Sequence, residues 1–230
     1  MYHVIGVFIF LFSLISIYRD DIKNNNNILA IIIFGLFVLS SIRYYIGTDY
    51  GTYYNFFESV KPFGFDSNYG LSNQYFEPLF QYIVSILKHI IYHPVFFFSF
   101  YSFITLLFLF LGIKKESEHY IISVFVLYCI FYHHYLFNTI RQGFVMGVFI
   151  YSTTFIINRN LIKVLLISFL SSLIHTSGLL ILVAYFLSFI KIKSRFILIL
   201  LLLTTIIVWQ VGLGEKIFTF FVLTFNNLVL

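Results

Sequence analysis

Arg141 stands in Phe137-Asn138-Thr139-Ile140-Arg141-Gln142-Gly143, with long apolar-dominated stretches on either side. A guanidinium in that setting needs a carboxylate, such as Asp49 or Glu77, or a ligand phosphate. Its planar fork grips phosphate through paired, charge-assisted hydrogen bonds. The bland alternative is an interfacial Arg that snorkels to head groups. His175 lies in Leu173-Ile174-His175-Thr176-Ser177-Gly178. Its titration range suits proton transfer, and its alternative is a satisfied packing histidine. Arg43 precedes Tyr44-Tyr45-Ile46-Gly47-Thr48-Asp49-Tyr50 and reads as a span-end anchor among interfacial tyrosines. Asp49 is as well suited to capping a turn as to acting as a base. Glu77 precedes Pro78 and could simply start a helix, where a carboxylate complements the dipole.

Several chemistries are missing. The chain has no GxxxxGK[ST] loop, no His-Glu-x-x-His and no G-x-S-x-G, which excludes an ATPase engine, a zincin and an exposed serine nucleophile. The pair His133-His134 has no nearby carboxylate or cysteine pattern and reads as interfacial or packing, so no metal is expected. The lone Cys129 forms no internal disulfide and is expected to be a small buried core residue.

The elements that position these groups follow from composition. Apolar and aromatic residues make up 60% of the 230 residues and charged ones 10%, with 32 Phe and 18 Tyr. Soluble domains run at about 25% charged, and 23 charges could not cover so much apolar surface. An ordinary soluble enzyme, a nucleic-acid module and a disordered tail are excluded. Apolar runs fall at 4–18, 28–42, 79–92, 95–113, 120–137, 140–157, 161–174, 178–190, 196–213 and 217–230. They do not alternate, which argues against a barrel. At roughly 20 residues per span, the pattern predicts an all-α polytopic transmembrane helical bundle of about eight to ten membrane segments in a single integral membrane domain, 1–230. The first run lacks a basic n-region and a small-residue cleavage site, so it reads as a retained span. The last ends at Leu230 without a polar tail, as expected of a truncated chain or a short buried helix.

Charge sorts the connections into two sides. With 19–27 cytoplasmic and 79–92 not crossing, Arg19, Lys23, Lys114, Lys115, Arg159, Lys163, Lys191, Lys193 and Arg195 fall inside. Arg43, Lys61, Arg141 and Lys216 fall outside, as the positive-inside rule asks. The net charge of +5 then reports orientation; no nucleic acid is expected. The segment 43–77 becomes a long extracytoplasmic loop, rich in Tyr and Phe, of the kind where function concentrates. The runs 161–174 and 178–190 are two short spans, or one long helix broken at Thr176-Ser177-Gly178.

Four pieces stand in order among these spans: Arg43-x-x-x-Gly47-Thr48-Asp49-Tyr50-x-x-Tyr53, Glu77-Pro78-Leu79-Phe80, Asn138-x-x-Arg141-Gln142 and His175-Thr176-Ser177. In this arrangement the sequence resembles the EpsG family, Wzy-like membrane proteins of bacterial exopolysaccharide, capsule and O-antigen (lipopolysaccharide) synthesis. The likeness runs to about residue 190. Family members more often read Glu-x-Gly-Tyr at Glu77-Pro78-Leu79-Phe80, and they are typically longer. The resemblance implies a repeat-unit polymerase, a glycosyltransferase at the outer face of the bacterial inner membrane. Its donor and acceptor would be undecaprenyl-diphosphate-linked glycans, with no cofactor and with a chain-length regulator as a further partner. The acceptor hydroxyl would attack the donor's anomeric carbon and undecaprenyl diphosphate would leave. Arg141 with Gln142, and Arg43 as second choice, would bind substrate, and Asp49, Glu77 or His175 would be catalytic. A flippase for lipid-linked sugars, a membrane O-acyltransferase and a non-catalytic subunit are the competing expectations.

Overall fold

Helices account for the folded segments of the chain, whose structure, a computed structural model, describes residues 2–63 and 76–190. They are α1 (Tyr2–Tyr18), the single turn α2 (Asp20–Lys23), α3 (Asn26–Ser41), α4 (Tyr50–Ser59) and α5 (Pro78–Ile90), then α6 (Pro94–Glu116), α7 (Tyr120–Phe137), α8 (Ile140–Ile157), α9 (Leu161–Ser172) and α10 (Leu179–Leu187). No strand occurs among the described residues. Local signals explain the starts. The Asn25 side chain accepts from the Asn27 and Ile28 N–H groups ahead of α3, and Asn160 from Lys163 N–H ahead of α9. Pro78 and Pro94 occupy first-turn positions that require no N–H donor.

α6, α7 and α8 are long and apolar enough to cross a membrane. Val4–Tyr18, Asn26–Ser41, Leu161–Ser172 and Thr176–Leu187 are shorter apolar helices. Large apolar side chains such as Phe8, Phe34, Ile162, Phe169 and Phe186 face outward, as lipid contact requires. The chain is an all-α membrane protein. The expected runs 196–213 and 217–230, with Lys191, Lys193, Arg195 and Lys216, lie outside the described residues. All described residues up to Ser188 belong to one compact unit.

α6 and α8 form the central pair and run parallel. A Cβ on Gly147 would come within 2.9 Å of the Thr105 carbonyl oxygen, and one on Gly112 within 3.1 Å of the Ile150–Tyr151 backbone. Small residues thus let the two backbones approach closely. α7 returns between them and runs parallel to α3. Tyr120 N–H donates to Asn24 at one end, and the Tyr132 hydroxyl donates to the Leu36 carbonyl at 2.8 Å further along. A π-turn at Tyr128–Tyr132 interrupts α7. Its extra residue shifts the register, burying Tyr128, Phe131 and Tyr132 while leaving Cys129 exposed. The expectation of a core cysteine is corrected accordingly.

The bundle therefore has two distinct ends. Lys114, Lys115, Arg159 and Lys163 mark one, at the C-termini of α6 and α8. The N-termini of α6 and α8 mark the other. α5 starts beside Arg141 at the head of α8 and stops just before Pro94 at the head of α6. Both of its ends thus lie at the same end of the bundle, and α5 lies across it, matching the expectation that 79–92 does not cross.

One segment differs from expectation, and a second decides between two alternatives. The long loop 43–77 contains the helix α4, held by Tyr50, Tyr53, Phe56 and Phe57, all buried. The run 161–190 is two short helices and not one long broken helix. α9 and α10 pack as an antiparallel hairpin, closed at its open end by Arg159 donating to the Ser188 hydroxyl and carbonyl. The two helices have 12 and 9 residues, about 18 and 14 Å, and with the flanking turns the hairpin runs from Asn160 at the end of α8 to Thr176, bonded to Glu77 beside the head of α8.

Candidate functional site

The turn at the head of α8 is pinned by a distant segment. Arg43, only 1% exposed, donates to the Leu136 carbonyl, and its guanidinium lies 4.2 Å over Phe98. Gly47, at φ 101°, has no Cβ; one there would overlap the Phe137 carbonyl oxygen. Thr48 N–H donates to Asn138 Oδ1 at 2.7 Å, with the Thr48 hydroxyl 3.3 Å from the same oxygen. Each element of Arg-x-x-x-Gly-Thr thus meets one residue of Leu136-Phe137-Asn138. Arg43 is neither snorkelling at a span end nor lining the cleft described below; it is a buried strut. The guanidinium stands between a carbonyl and an aromatic face, apart from the cleft lining.

The latch sets Asp49 and Arg141 on the walls of one cleft of about 720 Å³, lined by Asp49, Thr52, Tyr53, Asn55, Phe56, Ser59, Phe76 and Arg141. Asp49 is half-buried at the N-terminus of α4, yet its side chain caps nothing there. Among the described residues it accepts only from the Thr48 hydroxyl, at 3.2 Å. Arg141 is 17% exposed and forms an ion pair with Glu77, itself 18% exposed. The guanidinium also lies 4.5 Å over Phe76 and 5.5 Å over Phe80. Its Nε is buried with no hydrogen-bond partner among the described residues, so Glu77 engages one side of the fork and leaves donor capacity on another.

Glu77 precedes Pro78 but does not cap α5. Its second carboxylate oxygen accepts from Thr176 N–H at 3.3 Å, which ties the head of α8 to the tip of the α9–α10 hairpin. His175 sits at that tip, half-buried. Its Nδ1 accepts from Ser177 N–H at 3.2 Å and lies 2.8 Å from the Ser177 hydroxyl. An Nδ1 that accepts a backbone N–H carries no proton, so the neutral ring holds its proton on Nε2. Burial pushes the His175 pKa below its ordinary 6.5. The Glu77 charge opposes that shift and the Arg141 charge adds to it. His175 is therefore built as a neutral donor through Nε2 more than as a base.

Tyr53 belongs to the same group. Burial pushes its phenol above the ordinary 10.0, while a hydrogen bond and the charge from Arg141 pull it back, so it faces the cleft protonated. Gln142 is half-buried beside Arg141 but does not line the cleft, and its side chain makes no hydrogen bond among the described residues. The structure thus brings together Asp49, Glu77, Arg141 and His175, and sets Arg43 and Gln142 apart. Sequence reasoning missed Thr52, Asn55 and Ser59, because their signal was a polar face on a helix that was read as loop. His133 stacks among Tyr128, Tyr132 and Phe137, a packing role. No group of His, Cys, Asp and Glu able to hold a metal occurs among the described residues.

The sequence profile of one family, EpsG, matches residues 26–229 of the chain. No curated protein and no solved structure matches it.

Proposed function

The chain belongs to the EpsG family, and on that premise we propose that it polymerises undecaprenyl-diphosphate-linked oligosaccharide repeat units by glycosyl transfer. The observation that carries this reading is Arg141 on the wall of a cleft that also holds Asp49, paired with a Glu77 that is tied to the hairpin tip through Thr176. Such a site offers a cation for a diphosphate and a separate carboxylate for a hydroxyl proton. On the positive-inside rule the end rich in Lys and Arg is cytoplasmic, which puts the cleft on the extracytoplasmic face of the inner membrane.

The geometry supports the following roles. The acceptor sugar hydroxyl attacks the anomeric carbon of the donor, and the bond from that carbon to the diphosphate oxygen breaks. The electron pair leaves with undecaprenyl diphosphate, whose developing charge Arg141 offsets. Glu77 holds Arg141 in place. Asp49, free on one oxygen, takes the acceptor's proton. His175 donates through Nε2 to the leaving group.

The test uses the purified full chain in nanodiscs with lipid-linked repeat units, measuring released undecaprenyl diphosphate and the product ladder. Arg141→Ala is expected to lower turnover by about 10²–10³-fold, as removal of one charge-stabilising donor does, and Arg141→Lys to restore part of it. In cells, loss of the protein is expected to leave single repeat units on the outer face. Units retained inside would instead point to transport. Normal ladders from well-expressed Arg141→Ala and His175→Ala would sink the proposal.

A further inference from the structure

The cleft is larger than a diphosphate needs, and one of its walls is unaccounted for by the chemistry above. Asp49, Thr52, Asn55 and Ser59 recur at spacings of three to four along α4, which puts them on one helical face. From Asp49 to Ser59 that face extends about 15 Å at 1.5 Å per residue. Thr52 and Asn55 are exposed, and their side chains make no hydrogen bond among the described residues. The Ser59 hydroxyl donates to its own helix, to the Phe56 carbonyl at 2.8 Å, and keeps its acceptor lone pairs. Beside this stripe lie the buried rings of Phe56 and Phe76, with centroids 4.1 Å apart.

We infer that the Thr52–Asn55–Ser59 face of α4 is a glycan subsite that holds sugar residues of the repeat unit and selects among them. The inference rests on the polymerase reading for its ligand class but on different residues for its evidence. A pyranose presents hydroxyls at its edge and apolar C–H groups on its face. Thr, Asn and Ser supply both donors and acceptors to the former, and the Phe56–Phe76 pair offers an apolar floor to the latter. The lining suits other ligands poorly. A nucleic acid requires a basic track, and Arg141 is the single cation among the lining residues. An acyl chain has no use for an open row of hydroxyls and amides, which would lose water without gaining partners. A site that hydrogen-bonds substrate hydroxyls also rejects analogues lacking them, because its own polar groups are then left unpaired. The stripe is thus where discrimination between repeat units resides, while Arg141 reads only the diphosphate common to all of them.

The probe is the delipidated repeat-unit oligosaccharide, released by mild acid from the lipid-linked precursor of cells that carry this chain. Its binding to the purified full chain in nanodiscs is measured by calorimetry and by saturation-transfer NMR. Thr52→Val and Asn55→Leu are each expected to weaken binding about tenfold, the loss of a ligand hydrogen bond or two. Both positions are exposed, and an unchanged melting temperature certifies the fold. Glu77→Gln is expected to bind the probe as the parent does while losing turnover. Equal binding by the parent and both stripe variants would overturn the subsite, as would no binding by the parent at millimolar probe. If the probe binds through the stripe but the parent releases no undecaprenyl diphosphate, the subsite stands and the polymerase reading falls.

Discussion

The two ends of the bundle carry the same kinds of side chain and put them to different use. At the basic end, Lys115 lies 4.7 Å over Tyr151 and Lys163 lies 5.0 Å over Phe155. Arg159 donates to Ser188, and Thr154 donates to Glu116 at 2.5 Å. Each of these charges is satisfied locally, on a ring face or by a neighbouring helix end. At the other end, Asp49, Glu77, Arg141 and His175 come from four separate segments; Asp49 and Arg141 line one cleft, and Glu77 links Arg141 to the hairpin tip that carries His175. The glycine and asparagine contacts of the Gly47–Asn138 latch, and the Thr176–Glu77 bond, serve to hold those segments together. What separates a site from a charged surface here is therefore convergence of remote segments, not the amount of charge.

Swapping a charge at each end tests that contrast most strongly. Asp49→Asn removes the free carboxylate while preserving shape, and turnover in nanodiscs is expected to fall by about 10²–10⁴-fold, the usual worth of a positioned acid–base group. Lys115→Gln with Lys163→Gln at the basic end is expected to change stability by no more than about 0.5 kcal/mol per site, as surface substitutions do, with turnover unchanged. Comparable losses of turnover at both ends would erase the distinction.

The latch gives the next largest effect, on stability as well as activity. Gly47→Ala forces a side chain into a left-handed φ of 101° and against the Phe137 carbonyl. The cost is expected to be about 1–3 kcal/mol, in the range of a residue held in a sparsely populated backbone region, read as a lower melting temperature and a shorter polymer ladder. Gly51→Ala, in α4 with nothing within 4 Å of the added methyl, is expected to be neutral or to stabilise by up to about 1 kcal/mol through helix propensity. A neutral Gly47→Ala would show that the Gly-Thr turn does not fix the cleft.

The same contrast explains what could be read from the sequence. Ionisable groups in apolar runs are rare, so Arg141, Glu77, Asp49 and His175 stood out as isolated exceptions, and charge asymmetry separated the two ends. Arg43 stood out equally, but its fate depends on the Leu136 carbonyl and the Phe98 ring, which no spacing reveals. α4 was hidden because Gly51, Thr52 and Asn55 have poor helix propensity. Its buried period of Tyr50, Tyr53, Phe56 and Phe57 was present but stood inside a stretch read as a polar, glycine-bearing loop. Once α4 was missed, its polar face could not be seen as a face. The hairpin α9–α10 was similarly ambiguous, since hydropathy alone cannot tell two helices joined by a turn from one broken helix.

The smallest expected effect concerns protonation, and it separates two roles for His175. The pKa of this ring is lowered in the folded chain, so the neutral ring is the form that folding favours. Its contribution to stability is present above the ordinary value of 6.5 and is lost as pH falls through the lowered folded value. Protonating Nδ1 would also displace the Ser177 N–H that it accepts and loosen the tip that holds Glu77 through Thr176. Turnover is therefore expected to show an acid limb below 6.5, and His175→Gln, which keeps a donor but cannot titrate in this range, to flatten that limb while retaining part of the activity. If His175 were the base, the same variant would be inactive at every pH, and the carboxylate at Asp49 would lose the part assigned to it.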